Sequence, residues 1–319
     1  MSFLKFLSNV FGITYVCLWS SAFYPTLLMN YKLKSSDAIS LDSLLLNVIG
    51  YFSYFITIYL QLFDTNVIAD YEKVYKTKPI LSMIDFGYAL HCLLCITVTF
   101  FQVVYYRVLK LKSYHDPSTR AHNPGDANRF SITGDLKYIV IVLRKINIST
   151  KYSIIILLIF LGTCLYRAFI TESLPLLFLT KILTMVKLFI NCIKFVPQLL
   201  LNYKNKSVKG YPFLAIYLDL AGGMMSFCQI ILDNYMILLQ WKSERPINRM
   251  GIEIDHSLHF SFFDFVKKNF AKCGLVLVGF FFDFCFLSQK RMYEKNNDLL
   301  PSNYNDGSVE LKTLKREKS

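Results

Sequence analysis

The sequence predicts an all-α integral membrane protein: seven transmembrane helices, arranged as two parallel three-helix-bundle repeats joined by a linker helix. Three observations predict this class. Of the 319 residues, 54% are apolar and only 18% are charged, whereas soluble domains carry about 25% charged residues. The chain holds seven apolar runs of the roughly 20 residues that a helix needs to cross a bilayer. Part of the first half also recurs, in register, in the second half.

The apolar runs place the predicted spans along a single membrane domain. They lie at 10–30, 41–63, 82–106, 152–171, 175–201, 212–237 and 269–289. We assign 10–106 to the first three-helix repeat, 152–171 to the linker helix and 175–289 to the second three-helix repeat. The polar segment 107–151 is predicted to be a cytosolic loop, and 290–319 a cytosolic tail.

The basic residues indicate how the spans are oriented. The net charge of +13 could signal a nucleic-acid partner, but the Lys and Arg residues lie in the connections between apolar runs and form no single patch. One set of connections holds 21 of them and the opposite set holds nine. The positive-inside rule therefore predicts a luminal N-terminus and a cytosolic C-terminus. We expect contact with membrane lipid and no nucleic-acid partner.

The sequence shows no sign of an enzyme or of a metal site. Cys92 and Cys95 form a C-x-x-C, a pattern that occurs in redox and metal sites. The pair lies in mid-span with no second cluster of Cys or His, so we interpret both as small packing residues. No nucleophile–base pair stands out either. We expect a non-enzyme that holds no metal.

The internal repeat joins Phe23–Gly50 to Phe195–Gly222 at a constant offset of 172. Eleven of the 28 positions are identical, and they include Pro, Gly and the segment Asn-Tyr-Lys-x-Lys-Ser, which chance would rarely align. If 152–171 is a lone connector, the two halves cross the membrane in the same direction. Parallel repeats form alternating-access carriers, with the substrate site at the repeat interface near the bilayer midplane.

Each repeated segment carries a proline shortly before a basic loop. Pro25 occupies this place in the first half and Pro197 in the second, where Gln198 follows it. Proline removes a backbone donor and clashes with the preceding turn, so the helix can bend there. A paired bend in symmetry-related helices makes a gating hinge, and a static kink, common in membrane helices, is an equal alternative.

Ionisable side chains lie inside the apolar runs. Asp219 and Asp283 are within spans, Asp85 lies at the luminal edge of its span, and Lys187 is deep in the fifth span. A charge at mid-bilayer costs about 2.5–3.5 kcal/mol on insertion scales, which makes each such residue a functional-site hypothesis. Structural salt bridges between Asp and Lys are the alternative, but three acids on three helices favour proton coupling. His91, which changes charge between pH 5 and 8, could join the relay or be a packed, hydrogen-bonded residue.

These motifs resemble the PQ-loop family and, within it, the cystinosins. The second copy, Lys194–Gln198, has the full Pro-Gln signature, whereas the first, Trp19–Thr26, has Thr26 in place of Gln. Further resemblances lie in four segments. They are Leu46–Gly50, Asp85 with His91, Leu218–Gly223, and Lys272–Gly274 leading to Phe282–Asp283. Ala215 departs from the family pattern, which has Asn there. We expect a compact, fungal member, since the large luminal N-terminal region of animal cystinosins is missing.

The resemblance implies proton-coupled export of L-cystine from the acidic lumen of the vacuole or lysosome to the cytosol by alternating access. Protons would be the coupling ion, with no other cofactor. Cystine is a double zwitterion, so its site needs cations for carboxylates and an acid or amides for ammonium groups. The candidate substrate-binding residues are Lys187 and Lys272 for carboxylates, Asn47 and Asp219 at equivalent repeat positions, and Trp19 and Phe23 against the disulfide. An aromatic pair at this spacing is more often ordinary packing.

Two other functions remain open from the sequence. A PQ-loop exporter of cationic amino acids would use the same architecture. A non-transporting membrane scaffold or sorting receptor would act through the 107–151 segment and the tail. Neutral sugars fit less well, because they do not call for Asp and Lys together in the membrane. A small-molecule amino-acid substrate is thus the predicted partner.

Overall fold

The computed structural model describes residues 2–75, 79, 81, 83–115, 134–243 and 270–297. Within these ranges the chain forms helices and no strand. The helices are α1 (Ser2–Ser21), α2 (Tyr24–Leu33), α3 (Leu41–Phe63), α4 (Thr65–Tyr75), α5 (Met83–His115), α6 (Leu136–Arg144), α7 (Ile148–Phe169), α8 (Leu176–Ile193), α9 (Val196–Asn205), α10 (Phe213–Ser243) and α11 (Phe270–Asn297).

The helices account for the seven predicted spans. Six segments of the described chain are long and apolar enough to cross a membrane. They are Ser2–Leu33, Leu41–Phe63, Met83–Tyr114, Ile148–Phe169, Leu176–Asn205 and Phe213–Met236. The 28-residue α11 occupies the place of the seventh predicted span. The protein is therefore an all-α membrane protein with seven membrane-spanning helical segments, as the apolar runs predict.

The prolines split two of the predicted spans. The chain is broken between α1 and α2 and again between α8 and α9, so each of the predicted spans at 10–30 and 175–201 consists of two consecutive helices within one membrane-spanning segment. A proline ring clashes with the carbonyl four residues earlier. For Pro25 that residue is Ser21, the last of α1, and for Pro197 it is Ile193, the last of α8.

The internal repeat is reproduced in local geometry. Helices α2 and α9 begin and end at equivalent positions of the two repeats, at the same offset that the sequence shows. Each ends on a lysine in the left-handed backbone region, Lys34 and Lys206, both with φ of 49°. A non-glycine residue with positive φ is uncommon. Its recurrence at related positions shows that both half-helices end in the same turn.

The two repeats contact each other crosswise. Helix α1 packs on α10, and its counterpart α8 packs on α3, the counterpart of α10. The recurring glycines make these approaches close. A Cβ added to Gly222 would lie 2.5 Å from Trp19 Cδ1, and one added to Gly50 would lie 2.9 Å from Ile190 Cγ2. Small residues let membrane helices pack backbone to backbone, so this pair positions the interface between the repeats.

We expect Gly222→Ala to destabilise the protein by about 1–3 kcal/mol, because the added methyl overlaps the Trp19 ring in a packed interface. The measurement is the thermal unfolding midpoint in detergent. Gly162→Ala is the matched control, since a Cβ there meets no atom within 4 Å. Equal midpoints for the two variants would contradict the close-packed interface.

The segment 107–151 contains more helix than the predicted loop. Helix α5 continues through to His115, and α6 forms within the segment. Lys112 Nζ lies 2.5 Å from an Asp135 carboxylate oxygen, and Val142 of α6 packs in a cluster with Val103. Residues 116–133 lie outside the described chain.

The predicted tail also begins later than expected. Helix α11 continues to Asn297, about two turns past the predicted end of the span, and 298–319 lie outside the described chain. A further helix, α4, follows α3 directly. Asp64 begins it by accepting the Val67 backbone N–H at 2.9 Å.

Candidate functional site

A cavity of 430 Å³ lies between the two repeats, at the level of the helix breaks. Its volume falls in the range of small-molecule sites, about 300–1,000 Å³. The helices that contribute to its wall are α1, α2, α3, α5, α8, α9, α10 and α11. Its charged and amide side chains are Asn47, Lys187, Asn191, Lys194, Gln198, Asp219 and Asp283.

The cavity gathers most of the site residues predicted from the sequence. Those that line it are Trp19, Phe23, Asn47, Lys187, Gln198, Asp219 and Asp283. Pro25, Pro197, Asp85 and His91 are not among the lining residues. Lys272 lies on α11, but its side chain is outside the described part of the chain. The roles of all these residues stay predictions.

Two lysines bring positive charge to the cavity. Lys187 Nζ lies 3.3 Å from the centroid of the Tyr51 ring, and Lys194 Nζ lies 5.9 Å from the same centroid and 4.6 Å from that of Phe195. An aromatic face attracts a cation without neutralising it. The Lys187 ammonium is buried and has no hydrogen-bond partner among the described residues. Its N–H groups are therefore donors that no described residue accepts from.

The Asp–Lys salt bridges considered from the sequence do not form between the described residues. Within that part of the chain, no carboxylate oxygen comes within 4.0 Å of Lys187 or Lys194 Nζ. Asp219 and Asp283 lie close enough to Lys194 to interact through space. The charges of the cavity are thus held near one another without direct pairing, so each can contact a ligand.

Three side-chain oxygens in the cavity wall have no partner in the described chain. Asn47 Oδ1, Asn191 Oδ1 and Asp283 Oδ1 are buried and accept no hydrogen bond from any described residue. Leaving a buried acceptor unsatisfied costs about 1–3 kcal/mol, so such groups indicate a place where a ligand or water binds. Sequence reasoning missed Asn191. Its spacing of one helical turn from Lys187 was the signal that could have found it.

Trp19 forms the wall where the two repeats meet. Its Nε1 donates to the backbone oxygen of Asp219 at 3.2 Å, and its ring packs edge-to-face on Tyr15 with centroids 5.1 Å apart. Phe23 packs on Tyr51, with centroids 5.5 Å apart. Both aromatics therefore have packing roles in addition to facing the cavity.

The two remaining proton-coupling candidates lie outside the cavity wall. His91 Nε2 is 2.8 Å from Tyr24 Oη and 3.4 Å from Cys95 Sγ, which places it against the break between α1 and α2. This geometry fits the packed, hydrogen-bonded alternative, although its Nδ1 has no partner in the described chain. Asp85 is half-buried and lies near Tyr54, which lines the cavity.

Gln198 joins the second repeat to the loop of the first. Its Oε1 accepts the Ser40 N–H at 2.7 Å, and its Nε2 donates to Ala38 O at 2.8 Å. The first repeat cannot make the equivalent contact. Thr26 replaces Gln198 there, and Pro212, the counterpart of Ser40, has no N–H to donate. We call this one-sided contact the Gln198 latch.

A second amide, Gln289 of α11, binds α9 at two points. It accepts from Asn202 Nδ2 at 3.0 Å and donates to Leu199 O at 3.0 Å. Neither contact was expected from the sequence. Together they attach the half-helix that follows the break to the third helix of its own repeat.

The first repeat carries the same arrangement. Gln102 of α5 accepts from Asn30 Nδ2 at 3.2 Å and donates to Leu27 O at 3.0 Å. Asn30 and Leu27 are the counterparts of the α9 residues at the repeat offset. Gln102 and Gln289 therefore occupy equivalent positions in α5 and α11, the third helices of the two repeats. We call these paired contacts the amide clamps.

We expect Gln289→Leu to destabilise the protein by about 1–3 kcal/mol, because it removes the two half-buried hydrogen bonds to Asn202 and Leu199. Gln102→Leu should have a similar effect, since it breaks the symmetry-related clamp. The check is the unfolding midpoint of purified protein in detergent. Gln61→Leu is the control, because the Gln61 side chain has no hydrogen-bond partner among the described residues. If Gln61→Leu lowered the midpoint as much as Gln289→Leu does, the result would argue against the clamps.

Comparison with known proteins gives matches along nearly the whole chain. The sequence model of the PQ loop repeat family matches residues 7–67 and 179–239. A protein of Saccharomyces cerevisiae named cystine transporter is 28% identical over 93% of this chain and 98% of its own length. A cystinosin homolog of Caenorhabditis elegans is 25% identical over 95% of this chain and 61% of its own. One from Arabidopsis thaliana is 24% identical over 85% of this chain and 80% of its own.

The two matched regions coincide with the two halves that the internal repeat defines. They contain α1–α3 and α8–α10, the helices that contact each other crosswise around the cavity. The relatives carry the names of transporters, in agreement with the prediction of a non-enzyme. The recognition made from the sequence motifs is confirmed: the PQ loop repeat model matches a region in each half of the chain, and a cystine transporter and cystinosin homologs are among the proteins that it resembles.

Proposed function

We propose that the protein transports L-cystine through the cavity between its repeats by proton-coupled alternating access. One observation carries the proposal: buried groups of both signs face the cavity without partners in the described chain. Lys187 Nζ offers protons to an anion, whereas Asn47, Asn191 and Asp283 offer oxygens to a cation. A ligand that satisfies both sets needs acceptors and donors at once, as an amino-acid zwitterion does.

The arrangement favours a ligand with two such head groups. Two cationic side chains, Lys187 and Lys194, suit two carboxylates, and the acids and amides suit two ammonium groups. The aromatic wall formed by Trp19, Phe23 and Tyr51 can contact the apolar middle of such a molecule. Cystine has this composition, and the relatives from yeast and the animals carry the names cystine transporter and cystinosin.

Proton coupling would rest on Asp219 and Asp283. Both line the cavity and lie within range of each other's charge and of Lys194. A ligand ammonium or a proton can neutralise one of these carboxylates, so their loading can depend on both. The proton is the only coupling ion that the proposal needs, and no other cofactor enters it. Asp85 and His91, which lie next to the cavity, would pass protons to and from it.

The direction would be from an acidic lumen to the cytosol. The side that holds the basic loops of both repeats carries 21 Lys and Arg residues against nine on the opposite side, which favours a cytosolic position for it. A vacuolar or lysosomal membrane, with a luminal N-terminus, would supply the acid side. The Gln198 latch lies on the basic side and would be part of the cytosolic gate.

Flux in proteoliposomes tests the proposal. Purified protein is reconstituted, and labelled cystine uptake is measured with and without a pH gradient, with unlabelled amino acids as competitors. We expect uptake that the gradient drives and that unlabelled cystine competes away. Gradient-driven uptake of labelled lysine or arginine but not of labelled cystine would instead support an exporter of cationic amino acids. Absence of any gradient-driven flux would favour a scaffold or sorting receptor.

A further inference from the structure

Asn191 and Lys187 lie one turn apart on α8, and both line the cavity. Asn191 Oδ1 and Lys187 Nζ are both buried, and neither has a hydrogen-bond partner among the described residues. One is an acceptor and the other is a cationic donor. On a helix, side chains four residues apart lie on the same face with Cβ atoms about 5–6 Å apart.

We infer that Asn191 and Lys187 form a subsite for one α-amino-acid head group, in which Asn191 accepts a hydrogen bond from the ammonium and Lys187 binds the carboxylate. The inference deepens the proposed function and rests on it. The two charged groups of such a head are attached to one carbon atom. A donor and an acceptor one turn apart can therefore hold both at the same time.

The neighbours of these two residues leave the subsite free. The Lys187 ammonium is supported from one side by the Tyr51 ring, 3.3 Å from its centroid, and so keeps its hydrogens for a ligand. Thr184, on the same helix and also in the cavity wall, differs in that its hydroxyl has a hydrogen-bond partner. Its Oγ1 already donates to Thr180 O at 2.8 Å.

The rest of the cavity wall offers a second set of groups. Asn47 Oδ1 on α3 and Asp283 Oδ1 on α11 are also acceptors without a partner among the described residues. They belong to helices other than α8. The α8 pair would therefore bind one head of a two-headed substrate, and the α3 and α11 acceptors would bind the ammonium of the other.

The test separates loss of the ammonium contact from a general defect. Asn191→Leu removes the acceptor and keeps the number and branching of the side-chain heavy atoms, and Asn191→Asp retains the acceptor. Competition with labelled cystine exchange is measured for L-cystine and for dithiodipropionate, which has both carboxylates and the disulfide but no ammonium. Thr180→Val is the matched control, since Thr180 lies on the same helix but not in the cavity wall, and its hydroxyl already donates to Leu177 O.

We expect Asn191→Leu to weaken L-cystine binding about tenfold or more, as loss of a hydrogen bond to a charged group does. Inhibition by dithiodipropionate should stay within about twofold of the unmodified protein, because that molecule has no ammonium for Asn191 to contact. Asn191→Asp should bind L-cystine within a few-fold of the original, and Thr180→Val should match the original for both compounds.

Each other outcome overturns the inference. If Asn191→Leu weakens both compounds equally, the side chain only supports the fold. If it binds L-cystine as the original does, the subsite does not exist, even though cystine transport by the unmodified protein would still stand. If the unmodified protein exchanges no cystine, the proposed function fails first. The same variants are then compared in thermal-shift assays with single amino acids and their deaminated acids, and equal shifts would exclude the subsite.

Discussion

Asp283→Asn is expected to abolish the ability of a pH gradient to accumulate cystine. One proton coupled across about two pH units supports up to about a 100-fold concentration ratio, and this ratio should fall to one. Asp283 is 1% exposed, lines the cavity and has one carboxylate oxygen without a partner in the described chain. An amide of the same shape can fill this place but cannot take up and release a proton.

Exchange without a gradient provides the readout that distinguishes uncoupling from lost binding. Labelled cystine outside should still exchange with unlabelled cystine inside, since exchange moves no net proton. Asp233→Asn is the matched control. Asp233 lies on α10, accepts a hydrogen bond from Ser8 and is not among the cavity residues. If Asp283→Asn keeps gradient-driven accumulation, Asp283 is not the coupling group.

Lys187→Met is expected to raise the KM for cystine exchange at least about 30-fold. Truncating one partner of a buried charge pair costs about 2–5 kcal/mol, and about 1.4 kcal/mol corresponds to a factor of ten. Met keeps most of the length and apolar character of the side chain, so packing against Tyr51 should survive. The measurement is the concentration dependence of exchange in proteoliposomes.

Lys181→Met controls for a change of charge on the same helix. Lys181 lies on α8 but is exposed and does not line the cavity. The KM of Lys181→Met for cystine exchange should therefore stay near that of the original protein. A reduced maximal rate with unchanged KM in Lys187→Met would mean that Lys187 acts in the conformational change and does not bind substrate.

Much of the fold could be predicted because the bilayer imposes it. Apolar runs long enough to span had to be helices, since the lipid satisfies no backbone group. The constant offset of the repeat also predicted which elements would be equivalent, down to the turn at Lys34 and Lys206. The prolines indicated bends, but a bend and a full break have the same sequence signal. The separate helices α2 and α9 therefore required the structure.

The site was predictable where a polar residue stood out against an apolar background. Asp219, Asp283 and Lys187 were found in this way, and they do meet at one cavity. Asn191 is a neutral amide in the same kind of run and gives a weaker signal. Its meaning depends on having no partner in the described chain, which only three-dimensional packing reveals.

The amide clamps could not be predicted from the sequence for a different reason. Gln102 and Gln289 are further apart in the sequence than the other paired positions, because the connection between the second and third helices is longer in the second repeat. An alignment of the two halves at the constant offset of 172 therefore does not place Gln102 opposite Gln289, and the sequence alone does not show that they are equivalent. Helix α6 was missed because its nine residues, although mostly apolar, are too few to span a membrane and lie within the otherwise polar segment 107–151.

If the proline breaks act as hinges in the proposed alternating access, the two amide clamps would decide which helices move together. Helix α9 is fastened to α11, and α2 to α5, beyond the proline breaks. Movement at either break would then involve two helices together, α9 with α11 or α2 with α5, and not α9 or α2 alone. Four carboxamide side chains would set the stiffness of the two helix pairs. Helix α9 is also hydrogen-bonded to the loop of the opposite repeat through Gln198, a contact that Thr26 and Pro212 cannot make in the first repeat. The two helix pairs would therefore differ in how firmly they are held to the opposite half.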